Sequence, residues 1–255
     1  DLNNAGGAAP IMREIRQKLA TDCLTVTGKT LGKNIDAAPA DWGQQVVKTA
    51  ADPIFPKGGI AVLRGSLAPN GAIIKQSAAA PHLMKHEGRA VVFDDLADMA
   101  ERLDSPDLDV NADDILVLKN AGPKGAPGMP ESGYIPIPRK LAQAGVKDML
   151  RMSDARMSGT AFGTIVLHIS PEAAEGGPLG LVENGDRIVL DVEARRLDLL
   201  VDEAVLAERR KGWKPVTHKG QERGYLKLYL DEVTQAEDGA DFRFLMPART
   251  GQSTP

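Results

Sequence analysis

From residue 60 onward the chain breaks repeatedly into short β-type runs, and this texture constrains its fold more than any other feature. Residues 60–67 (IAVLRGSL) stop at the turn Pro69-Asn70-Gly71, and 72–75 are expected to return as the hairpin partner. Further strands are expected over 90–93, 115–118, 149–152, 164–169, 187–192 and 197–201. The run Ile115-Leu116-Val117-Leu118 is apolar throughout, as a strand covered on both faces would be. Only short helices fit between them. One starts at Asp94 or Asp95 and sets Leu96, Met99, Ala100 and Leu103 on one face. Another spans 139–144 and stops at Gly145, and a third runs from Asp202 to Arg210. Residues 224–233 add a last element. Many short strands with few intervening helices predict a mixed β-barrel-like or layered β domain with peripheral helices, in the α/β class.

The segment before residue 60 has a different texture. Over 8–19, Ile11, Ile15 and Leu19 recur at helical spacing, and Pro10 sits in the first turn, where a missing N–H costs least. A polar stretch to Ala51 follows, then Asp52-Pro53-Ile54-Phe55-Pro56-Lys57-Gly58-Gly59, whose Pro and Gly mark a linker. The expected division is residues 1–55, residues 56–246 as the β domain, and a frayed tail over 247–255.

Composition removes several function classes. With 42% hydrophobic and 26% charged residues the chain can build a core. A formal charge of −4 gives no basic footprint for nucleic acid. No apolar run approaches the roughly 18–20 residues of a membrane span. The start, Asp1-Leu2-Asn3-Asn4-Ala5-Gly6-Gly7, has neither the basic nor the apolar region of a signal peptide, and without an initiator Met it reads as beginning in mid-protein. The single cysteine, Cys23, excludes an internal disulfide framework and suits a reducing cytoplasm. It also cannot hold an iron–sulfur cluster, for which about three or four thiolates are typical.

Two short motifs carry little. Thr27-Gly28-Lys29-Thr30 imitates the end of a phosphate-binding loop, but the position five before Gly28, where the pattern needs Gly, is Cys23. His82 and His86 have the i, i+4 spacing of two ligands on a helix, yet Pro81 and Gly88 bracket them and His86-Glu87-Gly88 reads as a turn into the next strand. Two others carry more. Residues 122–133 hold four Gly and three Pro, and so form a long loop whose one acid, Glu131, suits either Mg²⁺ ligation or plain solvation. Residues 153–160 offer Asp154, Arg156 and Ser158 beside Gly159, which lets backbone N–H groups approach an anion; a β-turn with an Asp–Arg surface pair fits as well.

Taken in order, several segments resemble the dihydroxy-acid and sugar-acid dehydratase family. They are residues 5–7 (AGG), 24–30 (LTVTGKT), 58–69 (GGIAVLRGSLAP), 127–131 (PGMPE), 153–160 (SDARMSGT), 168–174 (HISPEAA), 176–182 (GGPLGLV) and 184–186 (NGD). The resemblance covers almost the whole chain. It implies that residues 1–55 end an N-terminal iron–sulfur α/β domain and that 56–246 form a domain like the swivelling domain of aconitase-type enzymes. It further implies a hydro-lyase that converts a 2,3-dihydroxy acid to a 2-keto acid. Ser158, as alkoxide, takes the C2 proton; Glu131 ligates Mg²⁺; Asp154, Arg156, Gly159, Thr160 and His168 line the substrate pocket.

The cluster cysteines and the remaining Mg²⁺ ligands have no counterpart in this sequence, so the resemblance implies a site completed by an N-terminal half of the same enzyme, in a homo-oligomer. Branched-chain members read Thr-Asp-Gly-Arg-Phe-Ser-Gly where this chain has Ser153-Asp154-Ala155-Arg156-Met157-Ser158-Gly159. The Ala and Met variant is similar to the sugar-acid branch, which makes an aldonate such as arabinonate or xylonate the expected substrate. A branched-chain dihydroxy acid is the alternative, as is a non-catalytic acid- or partner-binding β domain.

Overall fold

The computed structural model describes residues 1–39, 43–159 and 162–246. The chain divides into two compact units, Asp1–Gly58 and Gly59–Pro255. In the first, α1 (Ala8–Glu14) is shorter than its periodicity suggests, and residues 16–18 continue it as a 3₁₀ turn. Ile11 and Ile15 remain exposed, so no core face sustains a longer helix. The polar stretch contains a second helix that the apolar pattern does not reveal, α2 (Leu31–Ala37), whose Thr30 Oγ1 accepts the Lys33 N–H at 3.3 Å. Thr27-Gly28-Lys29-Thr30 is the tight turn that leads into it, with Gly28 at φ 72° and Thr25 N–H donating to Lys29 O at 2.9 Å.

The second unit carries β1 (Ala61–Leu63), β2 (Gly71–Ile74), β3 (Lys85–Phe93), β4 (Ile115–Leu118), β5 (Arg151–Ser153), β6 (Ile165–Ser170), β7 (Arg187–Asp191) and β8 (Arg196–Leu199). Their order is β1-β2-β6-β5-β4-β3-β7-β8. The four central strands are parallel to one another, and the outer pairs are antiparallel. The two ends of the sheet meet beyond β1: Arg64 N–H donates to Arg195 O and Leu197 N–H to Arg64 O, each at 2.9 Å. The mixed sheet is therefore nearly closed and barrel-like, with a few helices outside it. These are α3 (Leu96–Arg102), α4 (Arg139–Gln143), α5 (Glu203–Gly212) and α6 (Gly224–Glu232).

Alternate residues of the central strands, with Met149 and Leu150 just before β5, fill two apolar layers. Ala90, Val92, Ile115, Val117, Leu150 and Met152 pack inside the barrel. Val91, Phe93, Leu116, Leu118, Met149 and Leu167 pack outward against Leu96 and Met99 of α3 and Leu141 of α4. Both faces of β4 are buried, which is why its sequence is apolar at every position. Asp95 caps α3, its Oδ1 accepting the Asp98 N–H at 2.8 Å. β3 begins five residues earlier than expected. His86-Glu87-Gly88 is strand paired with β7, not a turn, while His82 lies in the separate 3₁₀ turn Pro81–Leu83, so the two histidines share no helix face. Among the described residues no helix is long and apolar enough to cross a membrane.

Candidate active site

Parallel neighbours in a sheet release their chains at the same edge, which is where α/β proteins build their sites. Here β4, β5 and β6 are adjacent and parallel. The Gly- and Pro-rich segment follows β4, the Ser158 segment follows β5, and Pro171-Glu172 follows β6.

Asp154, the first residue after β5, is 1% exposed. Its Oδ1 accepts the Ala121 N–H at 2.9 Å and its Oδ2 the Ala173 N–H at 2.9 Å, so one carboxylate staples all three segments. Burial pushes this carboxyl up to about 7, against the pull of the two backbone donors. Asp154 is thus turned into the protein, with both oxygens engaged by backbone.

Two residues on, Arg156 reaches back to the first loop. Its Nε donates to Met129 O at 2.6 Å, and its Nη1 lies 3.2 Å from Glu131 Oε1. Both partners of this ion pair are accessible, at 43% for Arg156 and 52% for Glu131. Gly128 and Met129 take φ values of 89° and 48°, a left-handed turn that brings the chain round to Glu131. The Ser158 and Glu131 segments are therefore joined twice, at the base through Asp154 and at the tip through Arg156.

His168 supports the Ser158 segment from β6. Its N–H donates to Ala155 O at 3.0 Å, and its ring Nε2 accepts the Met157 N–H at 2.9 Å. An accepting Nε2 assigns the ring proton to Nδ1. Burial, and then the charge of Arg156, push its pKa down, which favours the neutral ring. On the other side Lys75 Nζ donates to Gly159 O at 2.6 Å. Ser158, half-buried, sits between these two fixed points, and Gly159 is exposed. Thr160 lies outside the described residues. Beyond it the segment is held by the buried Arg151, which donates to Ile135 O at 2.9 Å and Met149 O at 3.2 Å and pairs with Asp148 at 2.8 Å. Asp148 in turn accepts from the Thr164 backbone N–H and hydroxyl. An open cavity of about 650 Å³ borders Arg156 and His168, with Arg64, Asn70, Met129 and Glu237 in its wall.

Among the described residues no three His, Cys, Asp or Glu side chains gather as a metal site. Cys23 is a single exposed thiol, so the residues present do not fit an iron–sulfur cluster. Glu131 does fit one place in a Mg²⁺ shell, since it is a hard oxygen donor, accessible, and paired with Arg156 through Oε1 at 3.2 Å. Three participants were not foreseen from sequence: Lys75, Arg151 and Glu172. Only Arg151 left a signal, as a charge between the apolar Met149-Leu150 and Met152.

Residues 45–240 match the model of the dihydroxy-acid/6-phosphogluconate dehydratase C-terminal domain. A 6-deoxy-6-sulfo-D-gluconate dehydratase of Pseudomonas putida is 46% identical over 258 residues, covering 100% of this chain and 44% of its own length. The L-arabonate dehydratase of Azospirillum brasilense is 46% identical over 253 residues, covering 96% of this chain and 43% of its own. A dihydroxy-acid dehydratase of Methanothrix thermoacetophila is 42% identical over 247 residues, at 95% and 44%. The chain spans less than half the length of these relatives.

Proposed function

The chain belongs to the dihydroxy-acid/6-phosphogluconate dehydratase family, and from that we propose that it carries the base of a hydro-lyase that converts a sugar acid to a 2-keto-3-deoxy acid. Ser158 Oγ, as alkoxide, takes the C2 proton; the C3–O bond then breaks with its electron pair on oxygen, the departing hydroxide takes up a proton to leave as water, and the enol that remains tautomerises to the keto acid. A serine is a poor base in water, and the positive charge of Arg156, and of Lys75 at the Gly159 carbonyl, favours its ionised form. His168 keeps the Met157 N–H in place and so orients the serine. Asp154 acts through the loops it joins, while Arg156, Gly159, Thr160 and His168 form the wall toward the substrate.

Glu131 would hold Mg²⁺, which when bound supplies positive charge for the substrate carboxylate and the developing enolate. The iron–sulfur cluster, for which this chain offers one thiol, would be held by residues of an N-terminal half of the same enzyme. A homo-oligomer in the cytoplasm is the expected setting.

The observation that carries the reading is the double tie between the Ser158 and Glu131 segments. An acid-binding domain could use the guanidinium and the serine alone; the accessible Glu131 carboxylate tied beside them is what favours a metal-assisted reaction. The test is dehydration by the enzyme produced at its natural length. Arabinonate and xylonate are the expected substrates, and a branched-chain dihydroxy acid is the competing one. Ser158→Ala should lower kcat by about 10²–10⁴-fold with unchanged circular dichroism. A variant within threefold of wild type would remove Ser158 from the role of base. Preference for the branched-chain acid would overturn the substrate assignment.

A further inference from the structure

Glu172 is a buried carboxylate that the mechanism above does not use. It follows β6 and is 1% exposed. The Lys124 N–H lies 3.0 Å from both of its oxygens, and the Gly125 N–H donates to Oε2 at 2.9 Å. Gln235 closes the set: its Nε2 donates to Oε1 at 2.6 Å, and its own Oε1 accepts the Glu172 N–H at 2.9 Å. A Cβ at Gly122 would stand 2.7 Å from Oε2, so only glycine lets the loop come this close.

A buried carboxylate is an expensive anchor. Desolvation of the charge costs several kcal/mol before its hydrogen bonds offset it, and a packed apolar side chain would usually stabilise as much. What the carboxylate adds is direction, since it fixes two consecutive backbone N–H groups at defined points. The loop it grips has no regular structure to hold its own backbone. It is secured at Ala121 by Asp154, at Lys124 and Gly125 by Glu172, and at Met129 by Arg156. Glu131 follows two residues later.

We infer that Glu172, oriented by Gln235, is a positioning residue that sets the Gly-rich loop so that Glu131 faces the Ser158 segment. The inference rests on the roles proposed for Glu131 and Ser158. It predicts that loosening Glu172 disturbs the loop and the metal requirement more than it disturbs substrate binding or the barrel.

The experiment uses the enzyme at its natural length and compares Glu172→Gln with wild type by hydrogen–deuterium exchange and by Mg²⁺ titration of activity. Gln keeps the size but turns an N–H donor toward the Lys124 and Gly125 donors. Exchange should speed up across peptides spanning 121–131 and stay unchanged over 115–118 in β4. The Mg²⁺ concentration for half-maximal activity should rise about 10–100-fold, the range seen for residues that orient a metal ligand, with KM for the sugar acid changed less than threefold. Should Glu172→Gln fold poorly, Gln235→Ala removes only the orienting amide and should move the same two readouts in the same direction.

Asp95→Ala, which removes the cap of α3 and no hydrogen bond of residues 121–131, is the stability control and should move neither. Faster exchange over 121–131 with an unchanged Mg²⁺ requirement would make Glu172 structural only and overturn the inference. Unchanged exchange in both variants would overturn it as well. Failure of the site reading itself appears separately, as full activity in Glu131→Gln and Ser158→Ala.

Discussion

Replacing Asp154 by Asn should change the pH dependence of stability in a calculable way. The carboxyl is fully buried, and its pKa is pushed from 3.8 to about 7, chiefly by loss of hydration and less by the charge of Glu172. At about 1.36 kcal/mol per pH unit, this penalises the ionised form in the folded state by about 4 kcal/mol. Because the folded pKa is raised, the folded protein keeps a proton that the unfolded chain has lost. The contribution is complete below pH 3.8 and disappears as pH rises through about 7. From about pH 5 to about pH 7 the wild type should lose about 2 kcal/mol from this group.

Asp154→Asn does not titrate. It carries instead a pH-independent cost of about 1–3 kcal/mol, because its amide nitrogen faces one of the two backbone donors. His168, pushed down, titrates in both proteins and largely cancels in the difference, whereas the smaller repulsion between Asp154 and Glu172 exists only in the wild type. Urea unfolding can be followed through Trp213, whose Nε1 donates to Ala173 O at 3.1 Å, in the residue that Asp154 holds. The stability of wild type minus variant should fall by about 2 kcal/mol between the two pH values. A difference constant to within about 0.5 kcal/mol would refute the reasoning, and would mean that the two N–H donors outweigh desolvation.

Gly163→Ala should destabilise by about 2–5 kcal/mol, since a Cβ there meets Arg151 Nη2 at 2.1 Å and the backbone sits at φ 98°. Chemical denaturation measures it, and a loss below about 1 kcal/mol would show that the buried Arg151 clamp yields easily. Asp95→Ala should cost about 1 kcal/mol by removing the cap on the Asp98 N–H, again by denaturation and with activity unchanged.

The strands were legible where burial writes on both faces or where a turn announces itself. β4 shows the first case, with four apolar residues in a row, and the β1–β2 hairpin around Pro69-Asn70-Gly71 the second. The start of β3 was not legible, because Lys85, His86 and Glu87 pair with β7 at an exposed edge where no apolar alternation marks the register. α2 was hidden for a related reason: its buried positions are only Gly32 and Ile35, too few to leave a period. The sheet order could not be read at all, since it joins β6 to β2 and β3 to β7 across long separations in the chain.

The candidate site divides along the same line. Its accessible members, Glu131, Arg156 and Ser158, stand in loops that Gly, Pro and small polar residues mark as irregular, and irregular segments in a compact domain invite a functional reading. Its buried members leave no such mark. Asp154 reads in sequence like the surface partner of Arg156, yet it points inward to two backbone N–H groups, while Arg156 pairs with Glu131 from another loop. What decides between these fates is tertiary. Three parallel strand ends lie side by side, and the loops leaving them carry backbone donors that no regular structure satisfies. A carboxylate at that junction satisfies several donors from different loops at once. Asp154 and Glu172 both do this, and the Gly-rich loop between them acquires a fixed path without a helix or a strand of its own.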